Sequence, residues 1–219
     1  ENSQKRVVLV LNSELEDPLF YHNVLTKADY IIAVDGGANQ TRKLGITPHL
    51  IIGDMDSISD ETYKKYQKEG CEFVIFPSNK DKSDSQLAVD YAIENNYEKL
   101  DIIGWEGGRF DHYLSNILLL ANYDNEEVKM RLLSPRNEAY ILNGKSSFRL
   151  RADGKRFVSI IPISSVVEKL NIKNMKYSLT NKNIYRGDTL GLSNEFLDEA
   201  IEGEVSFEKG VLLLIKSND

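Results

Sequence analysis

The chain has 219 residues, room for one large domain or two small ones. Its 27 basic residues against 34 acidic ones, with no compensating basic stretch, argue against nucleic-acid binding through bulk charge. A single cysteine, Cys71, excludes an intramolecular disulfide and fits a reducing compartment.

No apolar run approaches the length of a membrane span. Glu1-Asn2-Ser3-Gln4 lacks the basic-then-apolar order of a signal peptide, so a cytoplasmic protein with no membrane partner is expected. In chain order, Val7 to Leu11 and Tyr30 to Val34 read as buried strands by length and β-branched content. Ala38 to Leu44 is helical in character and stops at Gly45. Leu50-Ile51-Ile52 is a third strand. Asp60 to Glu69 is a polar helix ending at Gly70. A strand from Glu72 to Phe76 precedes an amphipathic helix from Ser83 to Asn95, with Leu87, Ala88, Tyr91 and Ala92 on one face. A strand over Leu100 to Ile103, an apolar helix over His112 to Tyr123 and a strand over Val128 to Leu133 follow. This alternation predicts an α/β domain with a mostly parallel sheet over residues 1–140.

Beyond residue 140 the pattern changes to short strands: Ser146 to Leu150, Phe157 to Ile161, Val166 to Ile172, Lys176 to Leu179, Asp188 to Leu192, Glu204 to Phe207 and Val211 to Ile215. Turn chemistry separates them at Asn143-Gly144, Asp153-Gly154, Arg186-Gly187 and Lys209-Gly210. An all-β sandwich over 141–219 is expected.

Three acidic clusters lie where predicted strands end. They are Gly53-Asp54-Met55-Asp56-Ser57, Asp81-Lys82-Ser83-Asp84, and Gly107-Gly108-Arg109-Phe110-Asp111-His112. In an open α/β sheet that edge is where ligands bind. Carboxylates gathered there repel one another unless a cation sits between them, and hard divalent cations take such oxygen ligands while bridging to phosphates. Asp54 and Asp56 lie in a turn that can aim both at one ion. Ser83 or Asp84 can cap the following helix, and Lys80 and Lys82 offer counter-charge. The glycines at 107 and 108 open a helix N-terminus to an anion, and Arg109 can grip phosphate oxygens as a fork. Asp111 can bind metal or cap the helix, and His112 can bond to phosphate or to Asp111. Asp35-Gly36-Gly37-Ala38-Asn39 repeats the theme after the second strand and suits backbone contact with a phosphate or nucleoside. In the C-terminal half, Gly191-Leu192-Ser193-Asn194-Glu195 offers donors and acceptors for a heterocycle, while Met175, Tyr177 and Phe196 read as packing residues with one aromatic available to stack on a ring.

In this order, the motifs closely resemble those of bacterial-type thiamine pyrophosphokinases. Gly104 and Asn116 extend the third cluster's match. Ser83 stands where threonine is commoner, and Gln86 where glutamate is frequent. The resemblance implies a homodimer with active sites at its interface, and magnesium-dependent transfer of pyrophosphate from ATP to thiamine. It implies Asp54, Asp56 and Asp84 as metal ligands, with Asp81 and Asp111 as close helpers. Arg109, Gly107 and Gly108 would hold phosphates, and Asp35, Gly36, Gly37, Asn39, Ser83 and His112 would complete the nucleotide site. Ser193 and Asn194 would recognise thiamine. Two alternatives stand beside it: a haloacid-dehalogenase-like phosphatase with Asp54 as nucleophile, and a non-catalytic nucleotide or thiamine sensor.

Overall fold

The computed structural model describes residues 5–79, 81–123, 128–197 and 202–219; Glu1-Asn2-Ser3-Gln4 and Lys80 therefore lie outside the described residues. The chain divides into two compact units. The first is Glu1–Leu119 with Glu126–Pro135, the second Leu120–Asn125 with Arg136–Asp219.

In the first unit, β-branched and leucine-rich runs form β1 (Arg6–Val10), β2 (Tyr30–Val34), β3 (Leu50–Gly53), β4 (Glu72–Ile75), β5 (Lys99–Ile103) and β6 (Lys129–Leu133). They lie side by side in the order β6-β5-β1-β2-β3-β4, and each neighbouring pair is parallel. Parallel strands of this kind are buried on both faces, and Val7 to Val10 and Leu50 to Ile52 are wholly inaccessible to solvent. The helices are α1 (Pro18–Leu25), α2 (Gly37–Lys43), α3 (Asp60–Lys68), α4 (Asp84–Glu94) and α5 (Phe110–Leu119), the last followed by a 3-10 turn at Leu120–Asn122. Two starts are capped by serine: the Ser59 side chain accepts from Thr62 N, and that of Ser83 from Gln86 N. Gly70 ends α3 in a left-handed conformation, φ 77°. Tyr66 locks α3 inward, its hydroxyl donating to Ile46 O at 3.0 Å and meeting Thr41 Oγ1 at 2.9 Å.

The second unit is the expected antiparallel sandwich. One sheet runs β12 (Asn194–Glu195), β9 (Phe157–Pro162), β14 (Val211–Ser217), β7 (Asn137–Asn143). The other runs β11 (Leu179–Tyr185), β10 (Val166–Lys173), β13 (Gly203–Phe207), β8 (Ser146–Leu150). Alternate residues such as Val158, Ile160, Leu212 and Leu214 face a core shared with Leu170, Ile172 and Val205.

Besides the two-residue strand β12, the elements differ from sequence expectation in four places. Helix α1 carries a start signal, Asp17 capping Phe20 N with Pro18 first in the helix, but its short apolar run has no clear helical period. Strand β7 begins with the polar pair Asn137-Glu138. Strand β11 starts three residues later than expected and ends six later, because its exposed sequence Thr-Asn-Lys-Asn lacks alternation. The expected strand at Asp188 to Leu192 is a turn, with Asp188 accepting from Tyr185 N at 2.8 Å.

Asp101, on β5, is buried and held by Arg6 on β1 and Arg131 on β6, which clamps three adjacent strands. Both arginines are partly exposed, so the cost of removing the carboxylate is discounted for screening. Asp101→Ala is expected to lower stability by about 1–3 kcal/mol, read as an earlier urea midpoint.

Candidate functional site

Chain order reverses between β1 and β5: β2, β3 and β4 extend to one side and β6 to the other. Such a switch point leaves a crevice at the carboxyl ends of the strands. A cleft of about 740 Å³ lies there, lined by the ends of β1, β2, β3 and β5 and the start of α4.

The cleft has an acidic side. Asp35 follows β2, Asp54 follows β3, and Asp84 opens α4; one carboxylate oxygen from each lies within 4.8 Å of the others. Asp56 lines the same cleft. Backbone geometry aims these groups. Asp35 and Met55 take left-handed conformations, φ 47° and 67°, and Asp54 Oδ1 accepts from Asp56 N at 3.2 Å, tightening the turn. Asp56 itself accepts from Ser57 Oγ at 2.9 Å. Burial pushes the Asp35 carboxyl above the usual carboxylate range; hydrogen bonds from Ser57 and Gly36 pull the other way. Hard oxygen donors converging from two strand ends and a helix start suit a divalent cation.

The opposite side carries Gly107, Gly108, Arg109, His112 and Asn116. Arg109 donates to Asp111 through Nε at 3.2 Å and Nη2 at 2.5 Å. That pair holds the Asp111 carboxyl below its ordinary value. Asp111 therefore orients Arg109 and is not itself among the lining residues.

The glycines have separate reasons. A Cβ on Gly37 would lie 1.9 Å from Val10 O, one on Gly36 2.1 Å from Asn12 Oδ1, and one on Gly107 2.5 Å from Ser13 Oγ. At Gly37 the obstacle is backbone, so no side chain fits; at Gly36 and Gly107 it is the end of a side chain leaving β1, which a Cβ would displace. Gly108 alone of the two Gly-Gly pairs has nothing within 4 Å of a built Cβ, so its space is open for a ligand.

Other sequence-assigned residues are placed as follows. Ser83 lines the cleft, and its cap bond uses an oxygen lone pair and leaves the hydroxyl proton for a ligand. Asn39 stands behind the cleft as a brace, donating to Ser57 O at 2.8 Å and accepting from Ser59 N at 3.1 Å. Asp81 is exposed and outside the lining. Lys82 pairs with Asp90 at 2.8 Å. In the second unit Ser193 is exposed, with φ 53° and its N–H bonded to Ser159 Oγ at 3.1 Å. Asn194 is buried and grips the Tyr177 backbone, accepting from its N at 3.0 Å and donating to its O at 2.8 Å. Met175 and Phe196 pack in the sandwich, whereas Tyr177 is exposed. Asn12, Ser13, Ser57 and Trp105 also line the cleft. Ser57 closes the first acidic cluster, but Asn12, Ser13 and Trp105 stand in none of the motifs; only their position after a strand at the switch point marks them.

The fold and site define an α/β protein with a carboxylate-rich cleft and an appended β-sandwich. Residues 21–132 match the family described as "Thiamin pyrophosphokinase, catalytic domain", and residues 146–212 match "Thiamin pyrophosphokinase, vitamin B1 binding domain". Thiamine pyrophosphokinase of Bacillus subtilis is 34% identical over 86% of this chain and 87% of its own length. Its crystal structure superposes with a TM-score of 0.87, covering 98% of this chain and all of that one. The Geobacillus thermodenitrificans thiamin pyrophosphokinase structure gives 0.84 at 28% identity, with 98% of each chain covered. The chain belongs to the thiamine pyrophosphokinase family, enzymes of the pyrophosphotransferase class that bind thiamine and use ATP as co-substrate. The phosphatase and sensor readings find no support.

Gly37→Ala is expected to cost about 1–3 kcal/mol of stability, since backbone must move. Gly108→Ala is expected to leave stability within about 0.5 kcal/mol and to raise the ATP KM. Denaturation midpoints and steady-state kinetics on the two variants separate packing from ligand contact.

Proposed function

We propose that this chain transfers the terminal pyrophosphoryl group of ATP to the hydroxyethyl oxygen of thiamine, releasing AMP and thiamine pyrophosphate. The observation that carries this reading is the convergence of Asp35, Asp54 and Asp84 in one cleft with Arg109 and the open Gly108. These carboxylates, with Asp56 beside them, would hold magnesium, which when bound supplies charge neutralisation on the phosphoryl oxygens. Arg109, steadied by Asp111, and the amide of Gly108 hold the phosphates in line for attack at the β-phosphorus. One of the cleft aspartates accepts the proton of the attacking hydroxyl. Ser83 and His112 are placed to bond phosphate oxygens. Asp81 acts at a distance from the cleft, through water.

Residues 1–140 serve as the catalytic part and residues 141–219 as the thiamine-binding and dimerisation part. Ser193 offers a hydroxyl, and Asn194 presents the exposed Tyr177 ring to the thiamine heterocycle. The working form is a homodimer with active sites at the interface. Helix α5, which sends His112 and Asn116 to the cleft, also carries Phe110, Leu114 and Leu118 at four-residue spacing, each at least 40% exposed. An apolar stripe on the helix that borders the cleft supports burial by a second copy. The single free thiol, Cys71, supports a cytoplasmic setting; no described helix is long and apolar enough to cross a membrane.

Mass spectrometry of ATP, magnesium and thiamine with the protein is expected to show AMP and thiamine pyrophosphate in equal amounts. AMP formed without thiamine, or no AMP at all, sinks the reading. Asp54→Asn is expected to remove most of kcat with the fold retained. Leu114→Glu is expected to shift sedimentation toward monomer and lower turnover.

A pH prediction follows from Asp35. Its folded-state pKa is raised, so the folded state holds more protons between the unfolded and folded values. Without metal, stability is therefore lost as pH rises through that window. Magnesium is expected to raise Tm at neutral pH, and by less as pH falls into the carboxylate range, as scanning calorimetry would show.

A further inference from the structure

The chain leaving β1 crosses the middle of the cleft. Asn12 and Ser13 follow Leu11, whose N–H still bonds to Ile103 O at 2.9 Å, and Ser13 N bonds to Gly104 O at 3.2 Å. Their backbone is thereby fixed to β5. The Asn12 amide lies over Gly36, beside the acidic side; the Ser13 hydroxyl lies over Gly107, beside Arg109. Neither side chain has a hydrogen-bond partner among the described residues. Polar groups fixed in a cleft with no internal partner are available to a ligand.

We propose that Asn12 and Ser13 bind the polyphosphate chain of the nucleotide, the Asn12 amide N–H and the Ser13 hydroxyl donating to phosphoryl oxygens between the carboxylate cluster and Arg109. The assignment rests on the pyrophosphoryl-transfer reading of the cleft. A ligand that reaches from Asp35, Asp54 and Asp84 to Arg109 must pass over these two residues, which stand between the turns after β2 and β5. Neutral donors suit this central place. A lysine or arginine here would compete with a cation for the carboxylates, and an acid would repel the phosphates. The amide of asparagine donates to phosphate oxygens without changing the charge of the site.

The test is calorimetric titration with magnesium and three probes: ATP, inorganic tripolyphosphate and adenosine. Asn12→Ala is expected to weaken ATP and tripolyphosphate alike, by about tenfold to a hundredfold, with adenosine unchanged. Ser13→Ala is expected to show the same pattern with a smaller loss. Asn12→Leu keeps the volume over Gly36 and removes the amide. It is expected to match Asn12→Ala; a result matching wild type would mean that Asn12 only fills space, and would overturn the proposal. Loss of adenosine binding in step with ATP would also overturn it, in favour of base or ribose recognition. Gly36→Ala supplies a check that leaves Asn12 in the sequence, because its Cβ would displace the amide; it is expected to weaken tripolyphosphate binding. Thermal midpoints of all variants exclude simple unfolding. The tripolyphosphate arm decides the role of Asn12 even if the thiamine-dependent assay fails, so the two readings fail separately.

Discussion

The carboxyl end of β1 lies closer to the turns after β2 and β5 than any side chain would permit. Val10 O, Leu11 O, the Asn12 amide and Ser13 Oγ each occupy space that a Cβ on Gly37, Gly104, Gly36 or Gly107 would need. Close packing makes this a constraint on the whole first unit, since a shift of even a few tenths of an ångström is resisted by neighbouring atoms. β1 is the strand next to the switch point, and its two neighbours carry the Asp35 turn and the Gly107 turn. The glycines therefore fix the separation of the two sides of the cleft. They do so through contacts with protein, whereas Gly108 keeps its space open.

That fixed frame explains how like charges are tolerated. Asp35 and Asp54 are carried on separate strand ends and Asp84 on the first turn of α4, so the three are held by different elements. Asp35 bears the cost most directly, buried and with its carboxyl pushed up. The remaining strain is local: Asp35 and Met55 are non-glycine residues in left-handed backbone, a conformation that costs on the order of 1 kcal/mol or more. Asn39 holds the second of these turns in place, donating to Ser57 O and accepting from Ser59 N. A frame that keeps anionic groups together before any ligand arrives is preorganised for a cation and a polyphosphate.

Much of this was legible in the sequence. Buried parallel strands announce themselves as unbroken apolar runs, and β1, β2 and β3 do so plainly. Strand ends followed by aspartates placed Asp54 and Asp84 in the cleft. What the pattern could not convey was tertiary. Helix α1 had a cap but no period, and β11 sends only Leu179 and Ile184 to the core, with four exposed residues between them and no alternation. Asn12 and Ser13 have no signature because their role comes from strand order, which periodicity does not reveal. Asp35 was read with its glycines as a backbone site; only folding brings its carboxylate beside Asp54 and Asp84.

Motif membership also conceals two different kinds of residue. Asn39 and Asn194 stand in the most recognisable segments of the chain, yet each spends its amide on neighbouring backbone. Their substitution would act through the loops they hold, Gly53 to Ser59 in one case and Tyr177 in the other. Asn12 is the converse, an asparagine with an uncommitted amide in the cleft. The same side chain thus serves as brace or as ligand donor according to whether the fold has already satisfied it. Because a buried amide must be paired and a cleft-lining one need not be, hydrogen-bond satisfaction distinguishes the two roles where residue identity does not.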